Sequence, residues 1–348
     1  MTIESLIRPN ILKLKPYASA RHEFTGKGEV FLDANENPFD TGVNRYPDPL
    51  QEKLKSAIGR LKNIPTDQIF LGNGSDEAID LILRIFCVPG RDEIMVLPPT
   101  YGMYQVSADI ADVQVKKVLL QADFQPDLPS IRNNLGPHAK VIFICSPNNP
   151  TGNLIRREAI EEILEFFGGI VVVDEAYTDF CPEATLLPLL EKYENLIVMQ
   201  TLSKAWGMAA IRLGMAFASP LLISYFNKVK APYNINILTQ RFALERLSKE
   251  GEMKAQVQSI RQQKTWLTRE LESLNEVLQV YPSDSNFLLV KVRHAEALYG
   301  YLSAQGVVVR NRSREPLCEN CLRITIGTET ENRTLLEKMN LFQNQAPV

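Results

Sequence analysis

The stretch Ile170-Val171-Val172-Val173-Asp174-Glu175-Ala176-Tyr177 places four consecutive β-branched apolar residues directly before two carboxylates. An apolar run without polar alternation is typical of a central strand that is covered on both faces of a parallel sheet. In open α/β proteins the ligand binds beyond the carboxyl ends of such strands. The stretch therefore predicts an α/β fold with a ligand site that begins at Asp174.

Other apolar runs repeat this arrangement, and helix-like segments at residues 76–86 and 157–167 accompany them. The runs lie at residues 93–97, 141–145 and 196–200. They are followed by Pro98-Pro99-Thr100-Tyr101-Gly102, by Ser146-Pro147-Asn148-Asn149-Pro150-Thr151-Gly152 and by Thr201-Leu202-Ser203-Lys204-Ala205-Trp206-Gly207. We expect a mainly parallel sheet flanked by helices, with these turns meeting at one rim.

The turn around Lys204 has the composition of a site for an aldehyde cofactor that carries a phosphate. A lysine amine forms a Schiff base, and its pKa falls when it is desolvated or close to other cations. Ser203 and Arg212 lie near enough in sequence to reach the phosphate. Taken alone, a Ser-Lys pair is more often a solvated surface lysine beside an ordinary helix start.

The residues at the other strand ends suit a pyridine ring. Asp174 would pair with a protonated ring nitrogen, Asn149 and Tyr177 would bind the ring hydroxyl, and Tyr101 would stack on the ring. Each residue also has a structural alternative, which is helix capping for Asp174, turn formation for Asn149 and core packing for the tyrosines.

Glycines in Leu71-Gly72-Asn73-Gly74-Ser75-Asp76-Glu77 precede a helix-like segment and suggest a phosphate cradle. Free backbone N–H groups and the helix dipole attract anions to a helix N-terminus, and small residues allow close approach. Simple capping of the helix by Asp76 is the alternative.

Composition excludes several classes of protein. The 348 residues are 45% hydrophobic and 23% charged with a net charge of −3, as in a globular protein with one large and one smaller domain. This balance provides no broad electrostatic footprint for nucleic acid. No segment reaches the roughly 18 apolar residues of a membrane span, and the first ten residues lack a signal-peptide pattern. We expect a cytoplasmic protein.

Cysteines and histidines provide no support for a metal site. Five cysteines in a chain of this length favour reduced thiols over a disulfide framework. Cys318 and Cys321 form a C-x-x-C that leads directly into a strand-like segment, so we interpret the pair as structural. The histidines are scattered at positions 22, 138 and 294.

The motifs around Gly74, Asn149, Asp174 and Lys204, with Arg212, together resemble the fold-type-I pyridoxal-phosphate aminotransferases. Additional motifs resemble the histidinol-phosphate aminotransferase branch of that family. They are Lys15-Pro16-Tyr17, Asp33-Ala34-Asn35-Glu36-Asn37-Pro38, Arg45-Tyr46-Pro47-Asp48 and Cys321-Leu322-Arg323-Ile324-Thr325-Ile326-Gly327. The resemblance covers the chain from Tyr17 to Gly327.

The resemblance implies pyridoxal 5'-phosphate as cofactor and assigns roles around it. Lys204 would form the Schiff base and then move the proton between substrate and cofactor carbons. Asp174, Tyr177, Asn149 and Tyr101 would hold the ring. The cofactor phosphate would be bound by Ser203, Arg212 and the backbone around Gly74 and Ser75, and Asp76 would belong to the same cofactor site. Tyr46 would reach that phosphate from a neighbouring subunit, which implies a homodimer with shared active sites.

The resemblance also implies the substrates. Arg323, with Arg310 and Tyr17, would hold the phosphate of histidinol phosphate, and the same pocket would accept glutamate and 2-oxoglutarate. We interpret Arg312 and Arg314 as a solvated basic loop. The alternatives are an aromatic amino-acid aminotransferase or a threonine-phosphate decarboxylase on the same scaffold, and a non-catalytic regulatory module.

The expected domain organisation has three segments. Residues 1–39 would form an N-terminal arm and part of a small domain, 40–232 the large cofactor-binding domain, and 233–348 the small C-terminal domain. The amphipathic stretch 238–274 would supply long connecting helices. The site would then lie between the domains, as small-molecule sites often do.

Overall fold

The computed structural model describes residues 2–16 and 30–345. The strands are β1 (Ile69–Asn73), β2 (Glu93–Val96), β3 (Gln114–Lys117), β4 (Ala139–Cys145), β5 (Ile170–Asp174), β6 (Leu196–Thr201), β7 (Leu213–Phe217), β8 (Val277–Val280), β9 (Phe287–Val292), β10 (Arg310–Asn311) and β11 (Cys321–Thr325). The α-helices are α1 (Pro9–Lys13), α2 (Glu52–Lys62), α3 (Gly74–Phe86), α4 (Met103–Ile110), α5 (Leu128–Asn134), α6 (Arg157–Phe166), α7 (Pro220–Val229), α8 (Ile237–Leu247), α9 (Glu250–Glu272), α10 (Ala295–Ala304) and α11 (Glu329–Gln345).

The larger sheet has the strand order β1-β7-β6-β5-β4-β2-β3. Strands β2 to β6 pair in parallel, whereas β7 runs antiparallel to both of its neighbours, β1 and β6. The carboxyl ends of β1, β2, β4, β5 and β6 therefore meet at one edge, together with the amino end of β7. This arrangement confirms the predicted α/β class with a mainly parallel sheet.

Helices bury both faces of this sheet. Ile142 and Val171 are paired neighbours that pack into a core with α2 and α6, whereas Phe143 and Val172 pack into a second core with α3 and α7. All four side chains are fully buried. Burial on both faces explains why these strands show no polar alternation in the sequence.

A smaller antiparallel sheet has the order β10-β11-β9-β8. It packs against α9, α10 and α11 through Leu267, Leu298 and Met339, which share a separate core. Helices α8 and α9 occupy most of the stretch expected to connect the domains. The two sheets span residues 69–217 and 277–325, and on this basis we retain the predicted domain boundaries as a proposal.

The helix after β1 begins at Gly74, two residues earlier than the sequence indicated. Asn73 occupies the N-cap position, so the alternative that Asp76 caps this helix is wrong. Within the two described ranges, no helix combines the length and the apolar character that a membrane span requires.

Candidate active site

A cavity of about 240 Å³ lies at the carboxyl edge of the large sheet. Its lining contains nearly all residues that the sequence singled out, namely Gly74, Ser75, Asp76, Tyr101, Asn149, Asp174, Tyr177, Ser203, Lys204, Arg212, Arg310 and Arg323. The sheet topology explains why they meet, because each precedes or follows a strand end at that edge or belongs to the facing small sheet. Arg212 fits the same rule, since it directly precedes the antiparallel strand β7.

Asp174 ends β5 with its carboxylate buried. Tyr104 Oη donates a hydrogen bond to Oδ2 over 2.8 Å, and the Ala176 backbone N–H donates to Oδ1 over 3.1 Å. Burial raises the pKa of Asp174 to about 6, although the Tyr104 hydrogen bond acts in the opposite direction. The carboxylate is therefore fixed in place and poised to attract a cationic partner.

Lys204 projects into the cavity from the turn after β6, and its Nζ lies 5.5 Å from the centre of the Tyr177 ring. Within the described ranges, the amine forms no hydrogen bond or ion pair. Desolvation lowers the pKa of Lys204, and the positive charge of Arg323 lowers it further, while Asp174 opposes the shift. A larger neutral fraction makes this amine a better nucleophile and base.

The N-terminus of α3 and the Arg212 turn form a tight cradle. The Gly74 backbone N–H donates to the Arg212 carbonyl over 2.8 Å, and Gly74 has a φ of 71°. A Cβ at Gly74 would lie 2.6 Å from Arg212 Nη2, and one at Gly214 would lie 2.2 Å from the Ser75 nitrogen. These two glycines let a guanidinium and helix N–H groups line one small space, which suits a phosphate.

Two aspartate oxygens complete this end of the cavity. Asp76 Oδ2 lies 3.3 Å from Arg212 Nη2, and Asp76 Oδ1 accepts a hydrogen bond from Tyr101 Oη over 3.2 Å. Ser203 Oγ accepts from Thr201 Oγ1 over 2.9 Å, which orients the serine hydroxyl within the lysine turn. The predicted cofactor-phosphate residues thus lie together, and their roles remain predictions.

The small sheet contributes a cationic arm on the opposite wall. Arg310 on β10 is the cross-strand partner of Arg323 on β11, so their side chains share one face of the sheet. Arg323 Nη1 donates to Asn149 Oδ1 over 2.5 Å. Desolvation lowers the pKa of Arg323, and the neighbouring charges of Arg312 and Arg310 lower it further.

Some residues differ from expectation. Arg312 lines the cavity, so its interpretation as a solvated loop residue is wrong, whereas Arg314 is exposed as expected. Arg312 follows Arg310 at the two-residue spacing of a strand, and this spacing is the signal that could have placed it on the same face. Tyr104, the buried partner of Asp174, was not anticipated. The sequence feature that could have identified Tyr104 is its position three residues after Tyr101.

Tyr46 lies outside this cavity. Its ring stacks on Tyr233 with a centroid separation of 4.6 Å, and 51% of its surface is exposed. Its role toward a neighbouring subunit stays a prediction. Tyr17 lies outside the described residues, so its predicted role also stays a prediction.

A larger cavity, of about 490 Å³, lies behind the lysine turn against α9 and includes Trp206. It contains none of the predicted site residues, and its lysines are paired with acids at Asp179 and Glu250. The smaller cavity is the candidate active site because it brings together an unpaired amine, a buried carboxylate and a group of arginines.

This chain is similar to known proteins along nearly its whole length. Residues 29–339 match the family model for aminotransferase class I and II. A histidinol-phosphate aminotransferase of Cytophaga hutchinsonii is 51% identical over 98% of this chain and 99% of its own length. One from Parabacteroides distasonis is 53% identical over 97% of this chain and 98% of its own length.

Solved structures show the same fold. The histidinol-phosphate aminotransferase of Clostridium acetobutylicum superposes with a TM-score of 0.81 at 23% identity, covering 88% of this chain and 92% of that one. That of Sinorhizobium meliloti, solved in complex with pyridoxal-5'-phosphate, superposes with a TM-score of 0.77 at 23% identity and covers 87% of this chain and 84% of that one.

Proposed function

Because this chain belongs to the class I and II aminotransferase family, we propose that it is a pyridoxal-phosphate-dependent histidinol-phosphate aminotransferase. The reaction is the reversible transfer of an amino group between L-histidinol phosphate and 2-oxoglutarate, giving imidazole-acetol phosphate and L-glutamate in histidine biosynthesis. The observation that carries the proposal is that one cavity joins the amine of Lys204 to the paired arginines Arg310 and Arg323. Two relatives that are about half identical to this chain, over nearly the whole of both sequences, are named for this activity.

The residues present fit pyridoxal 5'-phosphate. The Gly74 and Gly214 cradle, which a Cβ would fill, faces Arg212 and suits the phosphate. In the part of the chain that the structure describes, no cationic side chain contacts the buried carboxylate of Asp174, which suits a protonated ring nitrogen. Lys204 supplies the amine that binds the aldehyde. When bound, this cofactor withdraws electrons from the bond that breaks at the substrate carbon.

The side chains of the site have separate roles in the reaction. With the cofactor bound, Lys204 Nζ would accept and return the proton that is exchanged during transfer. Its lowered pKa favours the neutral form that accepts a proton. Burial raises the pKa of Asp174 to about 6, so its carboxylate is ionised at neutral pH and would hold a positive charge on the ring. Arg323 and Arg310 hold the anionic end of either substrate, so that one pocket serves both halves of the reaction.

We further infer a cytoplasmic homodimer with shared active sites. Tyr46 lies on a partly exposed surface that also contains the exposed apolar side chains of Val43 and Leu238. Exposed apolar surface of this kind is typical of an interface between subunits. In this arrangement Tyr46 would reach the cofactor phosphate of the neighbouring subunit.

Steady-state assays test the proposed function. The purified enzyme, saturated with pyridoxal 5'-phosphate, is given histidinol phosphate, phenylalanine or threonine phosphate, with 2-oxoglutarate as the amino acceptor where one is needed. We expect the highest kcat/KM with histidinol phosphate. A higher value with phenylalanine, or carbon dioxide release from threonine phosphate as the main reaction, would overturn the assignment.

A further inference from the structure

Arg312 belongs to the same sheet face as the two arginines that were expected to hold the substrate. The pairing of β10 with β11, which joins Arg310 to Arg323, extends to Arg312. The Arg312 backbone N–H donates a hydrogen bond to the Cys321 carbonyl over 2.8 Å. Side chains two residues apart on a strand point to the same side. Arg312 therefore joins Arg310 and Arg323 on the wall of the cavity, as the cavity lining confirms.

The local charge around Arg312 is only weakly balanced. Its nearest acidic partner is Glu315, at 3.6 Å between Nη1 and Oε1, which is too long for a hydrogen bond. Arg312 Nε is buried and has no hydrogen-bond partner among residues 2–16 and 30–345. Most of the side chain is covered, with 27% of it exposed. A buried Nε donor without an acceptor leaves this wall able to accept a hydrogen-bonding oxygen from a ligand.

Three clustered guanidinium groups exceed what a single carboxylate requires. One arginine satisfies a carboxylate through two parallel hydrogen bonds, whereas a phosphate monoester presents three oxygens and a charge close to −2. Mutual repulsion among the arginines opposes folding, and a bound dianion removes more of that repulsion than a monoanion does. The cluster is thus better matched to a phosphate than to a carboxylate.

We propose that Arg312 is a specificity-determining residue that, together with Arg310 and Arg323, binds the phosphate of the amine substrate as a dianion. This inference rests on the proposed function and deepens it. Arg312 contributes little to binding of glutamate or 2-oxoglutarate, whose anionic end is held by Arg323 and Arg310. Glu315 moderates the cluster by partly neutralising Arg312.

Separate kinetics for the two substrates test this role. In the holoenzyme, Arg312→Ala is expected to lower kcat/KM for histidinol phosphate by about 30-fold and that for glutamate by no more than about 3-fold, since one charge-assisted contact is lost from the phosphate alone. Arg312→Lys keeps the charge and should recover part of the loss. Arg314→Ala is the matched control, because it removes an exposed arginine from the same loop and should change neither value.

Glu315→Gln provides the opposite change. Removing the negative charge of Glu315 leaves the positive charge of Arg312 without a compensating carboxylate beside it. We therefore expect kcat/KM for histidinol phosphate to rise, or KM to fall, by about 2-fold to 5-fold. Equal losses for both substrates in Arg312→Ala, or a loss no larger than that of Arg314→Ala, would overturn the proposal. An increase in kcat/KM for glutamate alone in Glu315→Gln would also contradict the proposal.

Inorganic phosphate separates this inference from the proposed function. It should inhibit the glutamate half-reaction of the wild-type holoenzyme competitively, and more tightly at pH 8 than at pH 6, as phosphate becomes a dianion. Arg312→Ala should weaken inhibition and flatten this pH dependence. An enzyme that rejects histidinol phosphate but shows this pattern would refute the proposed function alone. Unchanged inhibition in the variant would refute the role of Arg312.

Discussion

Arg323 Nη1 donates a hydrogen bond to Asn149 Oδ1 over 2.5 Å, which ties strand β11 of the small sheet to the turn after β4 of the large sheet. Asn149 is the residue expected to contact the cofactor ring, and Arg323 is the residue expected to hold the anionic end of the substrate. The two binding events therefore share one contact. A substitution at Asn149 should therefore affect both cofactor binding and substrate binding.

Asn149→Asp should weaken binding of every anionic substrate. The new carboxylate would lie beside the Arg323 guanidinium and form an ion pair with it, so that its charge is no longer available to the substrate. We expect KM for glutamate and for histidinol phosphate to rise about 10-fold or more. Asn149→Ala is the control, because it removes the same amide without adding a charge. Similar KM values in the two variants would contradict the prediction.

Tyr104→Phe should shift the pH dependence of activity. The Tyr104 hydrogen bond stabilises ionised Asp174 and holds its pKa down, against the burial that raises it to about 6. Without this donor the carboxylate stays protonated to a higher pH, so the acidic limb of the kcat/KM profile should move upward by about one pH unit. Tyr101→Phe is the matched control, since that hydroxyl contacts Asp76. An acidic limb that moves in both variants, or in neither, would count against this role.

Gly74→Ala should weaken cofactor binding and also destabilise the fold. A methyl group at a φ of 71° is strained and would displace the Arg212 guanidinium, 2.6 Å away. We expect a cost of about 1–2 kcal/mol in the free energy of unfolding and at least about a 10-fold rise in the Kd for pyridoxal phosphate. Chemical denaturation and cofactor titration measure the two quantities.

Gly251→Ala is the matched control for that glycine. Its Cβ would meet open space on α9, so the same substitution should stabilise the protein by about 0.5 kcal/mol and leave the cofactor Kd unchanged. If both variants bound the cofactor like the wild type, the cradle would not hold the phosphate.

Mixing of two inactive variants tests the shared active sites. Lys204→Ala removes the amine, and Tyr46→Ala removes the side chain expected from the neighbouring subunit. Hybrid dimers would contain one site with both defects and one intact site, so remixed subunits should regain roughly one quarter of the wild-type activity. An affinity tag on one variant monitors subunit exchange. If the subunits exchange and no activity is recovered, Tyr46 acts within its own subunit.

The strand ends of the large sheet could be predicted well from sequence, because burial on both faces leaves uninterrupted apolar runs. Asp174 and Lys204 follow such runs, and the parallel topology brings them to one edge. Tyr104 was missed because an inward-facing helical tyrosine has the same local pattern as a core aromatic. Arg312 was misassigned because β10 has only two residues, and its pairing with β11 depends on a distant part of the chain.

The absorbance spectrum after incubation with pyridoxal 5'-phosphate and removal of the unbound cofactor tests the central claim most directly. A lysine bonded to the aldehyde absorbs visible light, so the wild-type protein should be coloured and Lys204→Ala should not. Lys254→Ala, which changes an exposed lysine of α9 outside the site, should match the wild type. A colourless wild-type protein, or undiminished colour in Lys204→Ala, would contradict the assignment of Lys204 as the cofactor-binding residue.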